Sequence, residues 1–134
     1  MDRTSQIEEL ARAAQAASRR LASLSSSFKN RVLLEIADEL EKEKELLQSE
    51  NEKDLSAARD QRQSPALIDR LTLTDKVITA MIESIREVVN LPDPVGEVVK
   101  MWRRPNDLLV GRVRIPLGVI GIIYESRPNV TVDA

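Results

Sequence analysis

Val119-Ile120-Gly121-Ile122-Ile123 is apolar or glycine at every position. Such a run suits a strand buried on both faces, as in a parallel α/β sheet. That requirement constrains the whole chain. A parallel sheet needs further strands, joined by crossover connections that are usually helices. This chain supplies one such strand and reaches Ala134 shortly afterwards. Its last residues, Asn129-Val130-Thr131-Val132-Asp133-Ala134, read as the first turn of a helix. The sequence therefore predicts a truncated fold, completed by strands it does not contain.

Upstream of that run the pattern is helical. Ile7, Leu10, Ala11, Ala14, Ala17, Leu21 and Leu24 recur at spacings of about three and four, which places them on one stripe of a helix. Ser25, Ser26 and Ser27 end the stripe and offer a cap for the next helix. From Phe28, the positions Val32, Leu33, Ile36, Ala37 and Leu40 repeat the pattern. The run Glu41-Lys42-Glu43-Lys44-Glu45 reads as a solvated helix face. Leu46, Leu47, Leu55 and Ala58 continue helical packing past Ser49 and Asn51. Ser64-Pro65 is a cap followed by proline at the first helical position, so a helix starts there with Leu67, Ile68 and Leu71 facing inward. Thr74 opens another, with Val77, Ile78, Met81, Ile82, Ile85, Val88 and Val89 in register. Leu91-Pro92-Asp93-Pro94 breaks it.

After Gly96 the period changes to two. Glu97 to Arg103 and Leu108 to Ile115 flank Arg104-Pro105-Asn106-Asp107 and predict a β-hairpin. Arg112 and Arg114 alternate with Gly111, Val113 and Ile115, giving one polar and one apolar face.

Composition narrows the chemistry. The chain has no cysteine and no histidine. It therefore has no thiol nucleophile, no thiolate or imidazole metal ligand and no imidazole acid–base group. Any chemistry within it falls to carboxylates, lysine, tyrosine, serine or threonine. A net charge of −2 and 2% aromatic residues argue against nucleic acid as a partner, which demands a basic excess and stacking platforms. The longest uncharged stretch near the end, Ile115 to Tyr124, is too short to span a bilayer and contains Pro116. The start, Met1-Asp2-Arg3-Thr4, has no apolar signal core, so a cytoplasmic protein with no membrane partner is expected.

Three segments resemble one family, in the same order. They are Ala66-Leu67-Ile68-Asp69-Arg70-Leu71-Thr72-Leu73, then Leu91-Pro92-Asp93-Pro94-Val95-Gly96-Glu97 with Met101-Trp102-Arg103-Arg104-Pro105-Asn106, and finally the run Arg114 to Val130. The last contains Tyr124-Glu125-Ser126-Arg127-Pro128-Asn129 and is the most specific. All are similar to γ-glutamyl phosphate reductases, of the aldehyde dehydrogenase superfamily.

That resemblance implies an α/β parent fold. Of this, the present chain carries a mostly α-helical part, a C-terminal β-hairpin and one buried strand. It implies three parts: residues 1–96 as the helical part of a cofactor-binding domain, 97–117 as a hairpin belonging to an oligomerisation arm, and 118–134 as the first strand and turn of a Rossmann-like part. It implies the NADPH-dependent reduction of L-glutamyl 5-phosphate to L-glutamate 5-semialdehyde and phosphate, in proline biosynthesis, by a homo-oligomer. The family's cysteine thiolate displaces phosphate to form a thioester, and hydride then releases the aldehyde. With no cysteine here, that nucleophile is expected downstream, and the chain alone is expected to be inactive.

Ligands of open α/β sheets bind at the carboxyl ends of the strands. By the resemblance, the backbone of Ile123 and Tyr124, with Glu125, Ser126 and Arg127, lies beside the cofactor, and Arg127 and Asn129 contact the substrate. A guanidinium grips phosphate in two places. Ser126 and Asn129 offer hydrogen bonds to a developing oxyanion. A plainer alternative has Asn129 capping the next helix and Glu125 paired with Arg127. Gly111, Gly118 and Gly121 lack the spacing of a dinucleotide fingerprint and serve turns and close packing. Lys100, Arg103, Arg104, Arg112 and Arg114 gather on the hairpin, where one reading is a phosphate site and the favoured one a solvated face or subunit contact, with Trp102 as an anchor. The rival reading is a stand-alone helical interaction module without activity. Against it stands the run 119–123, a strand that would aggregate if left as a free edge.

Overall fold

A computed structural model describes residues Asp2 to Ala134. Met1, part of the start read above, lies outside the described residues. The order is α1 (Arg3–Leu21), α2 (Ser26–Lys42), α3 (Lys44–Asp60), α4 (Pro65–Leu71), α5 (Asp75–Asn90), β1 (Val98–Arg103), β2 (Leu109–Val113) and α6 (Val130–Asp133). The chain forms two compact units. One combines the residues up to Ser26 with Pro92–Gly121, and the other combines Ser27–Leu91 with Ile122–Ala134. No described helix is long and apolar enough to cross a membrane.

The second unit holds the core. Ala37 of α2 and Ile78 of α5 are fully buried, and Ile82 and Ile85 join them one and two turns along α5. Leu33, Leu40, Leu73 and Val132 pack around this centre. Burying each isoleucine side chain contributes about 1.5–3 kcal/mol, so this cluster anchors α5 against α2. On α3, Leu55 and Ala58 are buried as the stripe predicts, whereas Leu46 is exposed. The starts of α4 and α5 hold as read. The Ser64 hydroxyl accepts from the Leu67 amide at 3.3 Å with Pro65 at the first turn of α4, and Thr74 accepts from the Val77 amide at 3.2 Å. Leu91 ends α5 in extended conformation ahead of Pro92.

One polar side chain is buried in this unit. Asn51 of α3 donates from Nδ2 to the Leu71 carbonyl at 2.9 Å and accepts the Leu73 amide on Oδ1 at 2.8 Å. It thereby satisfies the backbone where α4 ends and the linker to α5 begins. The charged run at 41–45 is a solvated junction: α2 stops at Lys42 and α3 starts at Lys44.

In the first unit the hairpin pairs antiparallel, with Trp102 opposite Val110 and Met101 opposite Gly111. Its turn closes through the Asp107 amide to the Arg104 carbonyl and the Arg104 amide to the Leu108 carbonyl, both 2.9 Å. Asp107 takes a left-handed φ of 63°, as the residue after a type I turn does in longer hairpin loops. Gly96 carries φ 87° at the hairpin's entry, where its amide donates to the Arg114 carbonyl. Apart from half-buried Trp102 and Val110, both faces of the hairpin are exposed. The apolar stripe of α1 is exposed at Ile7, Leu10 and Leu21.

The expectation of a buried strand over Val119–Ile123 is corrected. Within this chain the run carries no strand pairing, and Ile123 is fully exposed at 103%. A strand buried on both faces needs neighbouring strands and covering helices; among the described residues no strand pairs with this run, and its isoleucines stay exposed.

Candidate functional site

The second unit contains a cleft of about 460 Å³. One wall comes from α4 and its exit, with Asp69, Arg70 and Thr72. The floor is α5, through Val77, Ala80, Met81 and Ser84. The facing wall is Arg127, Pro128, Asn129 and Asp133, from the segment that leads into α6.

The sequence explains each wall. Arg70 occupies the last turn of the short helix α4, whose exit is pinned by Asn51. The Thr72 hydroxyl further closes that turn by donating to the Ile68 carbonyl at 2.7 Å. Met81 is buried on the same stripe that builds the core, which leaves Ala80 and Ser84 beside it on the cleft side of α5. Val132 docks α6 onto the core, and the Tyr124 and Thr131 hydroxyls share a hydrogen bond of 2.7 Å across the intervening turn. Ser126 takes a left-handed φ of 56°, which redirects the chain just before Arg127. Such a conformation costs a non-glycine residue about 1 kcal/mol or more and recurs at ligand sites.

The cleft combines an apolar floor with charged walls of both signs. Two guanidiniums, Arg70 and Arg127, and two carboxylates, Asp69 and Asp133, line it. Among the described residues, neither guanidinium is ion-paired with a carboxylate. In particular, Glu125 and Arg127 form no ion pair there. Asn129 stands at the N-cap position of α6, but its side chain makes no capping bond. Its Nδ2 instead donates to the Asp133 carboxylate at 3.1 Å, which leaves a second N–H on that nitrogen. The described residues contain no cluster of metal-ligating side chains.

Of the residues singled out by sequence, the cleft thus brings together Arg127 and Asn129. Ile123, Tyr124, Glu125 and Ser126 precede it and do not line it. Asp69, Arg70 and Ser84 were not singled out for the site. Asp69 and Arg70 belong to a segment that carries the family resemblance, and that was the available signal. Ser84 had none. The basic residues of the hairpin do not converge on a phosphate site. Arg114 pairs with Glu97 at 3.1 Å and Arg103 with Asp107 at 3.9 Å, while the Lys100 ammonium lies 5.9 Å from the Trp102 ring.

Comparison with known proteins gives a consistent answer. The chain is 57% identical over 129 residues to the γ-glutamyl phosphate reductase of Carboxydothermus hydrogenoformans, covering 96% of this chain and 31% of that protein. It is 53% identical over 134 residues to that of Desulforapulum autotrophicum, covering 100% and 32%. Among solved structures, the γ-glutamyl phosphate reductase of Thermotoga maritima superposes with a TM-score of 0.89 at 42% identity, over 92% of this chain and 30% of that one. The enzyme of Saccharomyces cerevisiae gives 0.89 at 30% identity, over 99% and 33%. No protein-family model matches the chain. The chain spans about a third of the length of the relatives it matches.

Proposed function

Since this chain belongs to the γ-glutamyl phosphate reductase family, of whose length it spans about a third, we propose that it is the N-terminal part of an NADPH-dependent reductase. The reaction converts L-glutamyl 5-phosphate to L-glutamate 5-semialdehyde and phosphate. In this reading the cleft holds the substrate, with Arg127 on the phosphate and Asn129 on the acyl oxygen. The observation that carries it is the placing of these two residues on one wall, with the guanidinium unpaired and an amide N–H to spare.

The chain's own residues bind and orient. Arg127 neutralises the departing phosphate, whose charge rises as the acyl–oxygen bond breaks. The free N–H of Asn129 is held by the Asp133 contact, so donating it to an oxyanion costs little reorganisation. NADPH supplies a hydride when bound. The residues present fit one edge of a nicotinamide site: the main chain of Ile123 and Tyr124 is unpaired with any strand, and Glu125, Ser126 and Arg127 follow it with side-chain donors and acceptors. The attacking thiolate lies outside this chain, which has no cysteine. The hairpin, with Trp102, serves as a contact between subunits of a homo-oligomer in the cytoplasm. The rival, an inactive helical interaction module, loses its ground because the relatives sharing this pattern bear the reductase name.

The test is NADPH oxidation by the full-length protein with γ-glutamyl phosphate. Arg127→Ala lowers kcat/KM by about ten- to a hundredfold, the loss of a charged hydrogen bond of about 1.5–3 kcal/mol. Unchanged kinetics remove Arg127 from the site.

A further inference from the structure

The wall opposite Arg127 raises a separate question. Arg70 is the second unpaired guanidinium of the cleft, and it comes from a different element, α4. The plain account makes Arg70 a cation at a helix C-terminus. A helix of seven residues has a weak macrodipole, and such a contact is worth little at an exposed position.

Three observations favour a ligand instead. First, Arg70 is held in place. The Leu71 carbonyl and the Leu73 amide, which flank the exit of α4, are both bonded to the buried Asn51 side chain. The guanidinium therefore extends from a fixed backbone. Second, the two arginines of the cleft come from separate elements, the short helix α4 and the segment leading into α6, so neither is a local duplicate of the other. Third, each arginine has a carboxylate on its own wall, Asp69 beside Arg70 and Asp133 beside Arg127. Asp133 is engaged by Asn129, whereas no side-chain hydrogen bond or ion pair to Asp69 is made among the described residues. The α4 wall thus presents a cation and an anion together. That is the complement of an α-amino-carboxylate group, which carries an anion and a cation on one carbon.

We propose that Arg70 is a specificity-determining residue that grips the substrate's α-carboxylate, with Asp69 taking the α-ammonium, at the end of the cleft opposite the phosphate contact of Arg127. This rests on the substrate reading given above and extends it to the second wall. A planar guanidinium suits a carboxylate because it presents two parallel N–H donors.

The experiment uses the full-length reductase in the direction of aldehyde oxidation, with NADP⁺ and inorganic phosphate. There the amino-acid aldehyde and the phosphate vary independently. Arg70→Met raises the KM for glutamate 5-semialdehyde about ten- to a hundredfold, the consequence of losing a charge-assisted bidentate contact. The KM for phosphate stays within about twofold and kcat within about threefold, as expected when binding that is uniform through the reaction is lost. Arg70→Lys retains part of the affinity. Butanal, which lacks the amino-carboxylate, is oxidised equally by wild type and variant. An unchanged KM for the amino-acid aldehyde, or a rise confined to phosphate, overturns the assignment of Arg70. A wild-type protein that oxidises no glutamate 5-semialdehyde overturns the reductase reading itself, so the two failures are distinguishable.

Discussion

Two hydrogen bonds converge on the Asn51 side chain, and they tie the sequence to the cleft most directly. Replacing the buried Asn51 with alanine leaves the half-buried Leu71 carbonyl and Leu73 amide without these partners. The expected cost is about 2 kcal/mol or more, read as a lowered urea midpoint with an unchanged slope. Because the same bonds fix the exit of α4, the variant also weakens substrate binding through Arg70. The sequence pointed to Asn51 only as an interruption of an apolar pattern. A polar residue on a helix declares its partners only when the facing backbone is known. Asp75 offers a second test at this scale. The Gln48 amide at 2.8 Å, and then the Lys44 ammonium at 3.0 Å, hold its carboxyl below the ordinary carboxylate value. A depressed folded-state value stabilises the fold above the ordinary carboxylate range, and that contribution is lost as pH falls through the folded value. Asp75→Asn therefore lowers the melting temperature slightly near neutrality, and the two proteins converge in acid. A constant difference across the titration would contradict this.

At the scale of elements, α5 connects the core to the site. One stripe buries Ile78, Met81, Ile82 and Ile85, while its flank carries Ala80 and Ser84 into the cleft. Ile78→Ala opens a cavity in a fully buried position and costs about 2–5 kcal/mol in denaturant unfolding. Helix positions and caps were legible because they depend on local spacing and on side chains within about four residues. The hairpin was legible for the same reason. Which members of each stripe are buried was less so. Val88 continues the α5 pattern yet is exposed, and the α1 stripe is exposed at Ile7, Leu10 and Leu21. Periodicity marks the apolar face of a helix without naming what covers it.

For the whole molecule, the exposed run 119–123 and the absence of any cysteine lead to one expectation. The isolated 134-residue chain neither turns over γ-glutamyl phosphate nor binds NADPH measurably. Absorbance assays and calorimetry check this, and turnover by the purified chain would refute it. With Ile115, Leu117, Ile120 and Ile123 all exposed, the isolated chain also binds an apolar dye more strongly than the full-length protein does.

By itself, the sequence determined the helices, the starts of α4 and α5, the hairpin and the resemblance to γ-glutamyl phosphate reductases. These follow from residue spacing and from a long specific motif, both read along the chain. Only the tertiary structure decided that Arg127 and Asn129 share a cleft with Asp69 and Arg70 of α4 and Ser84 of α5, because those residues are separated by some forty positions or more and meet only through packing. The structure also decided that the apolar run beginning at Val119, which reads as a buried strand, is uncovered here. Burial belongs to the neighbours of a segment, and a run of apolar residues specifies only that neighbours are required.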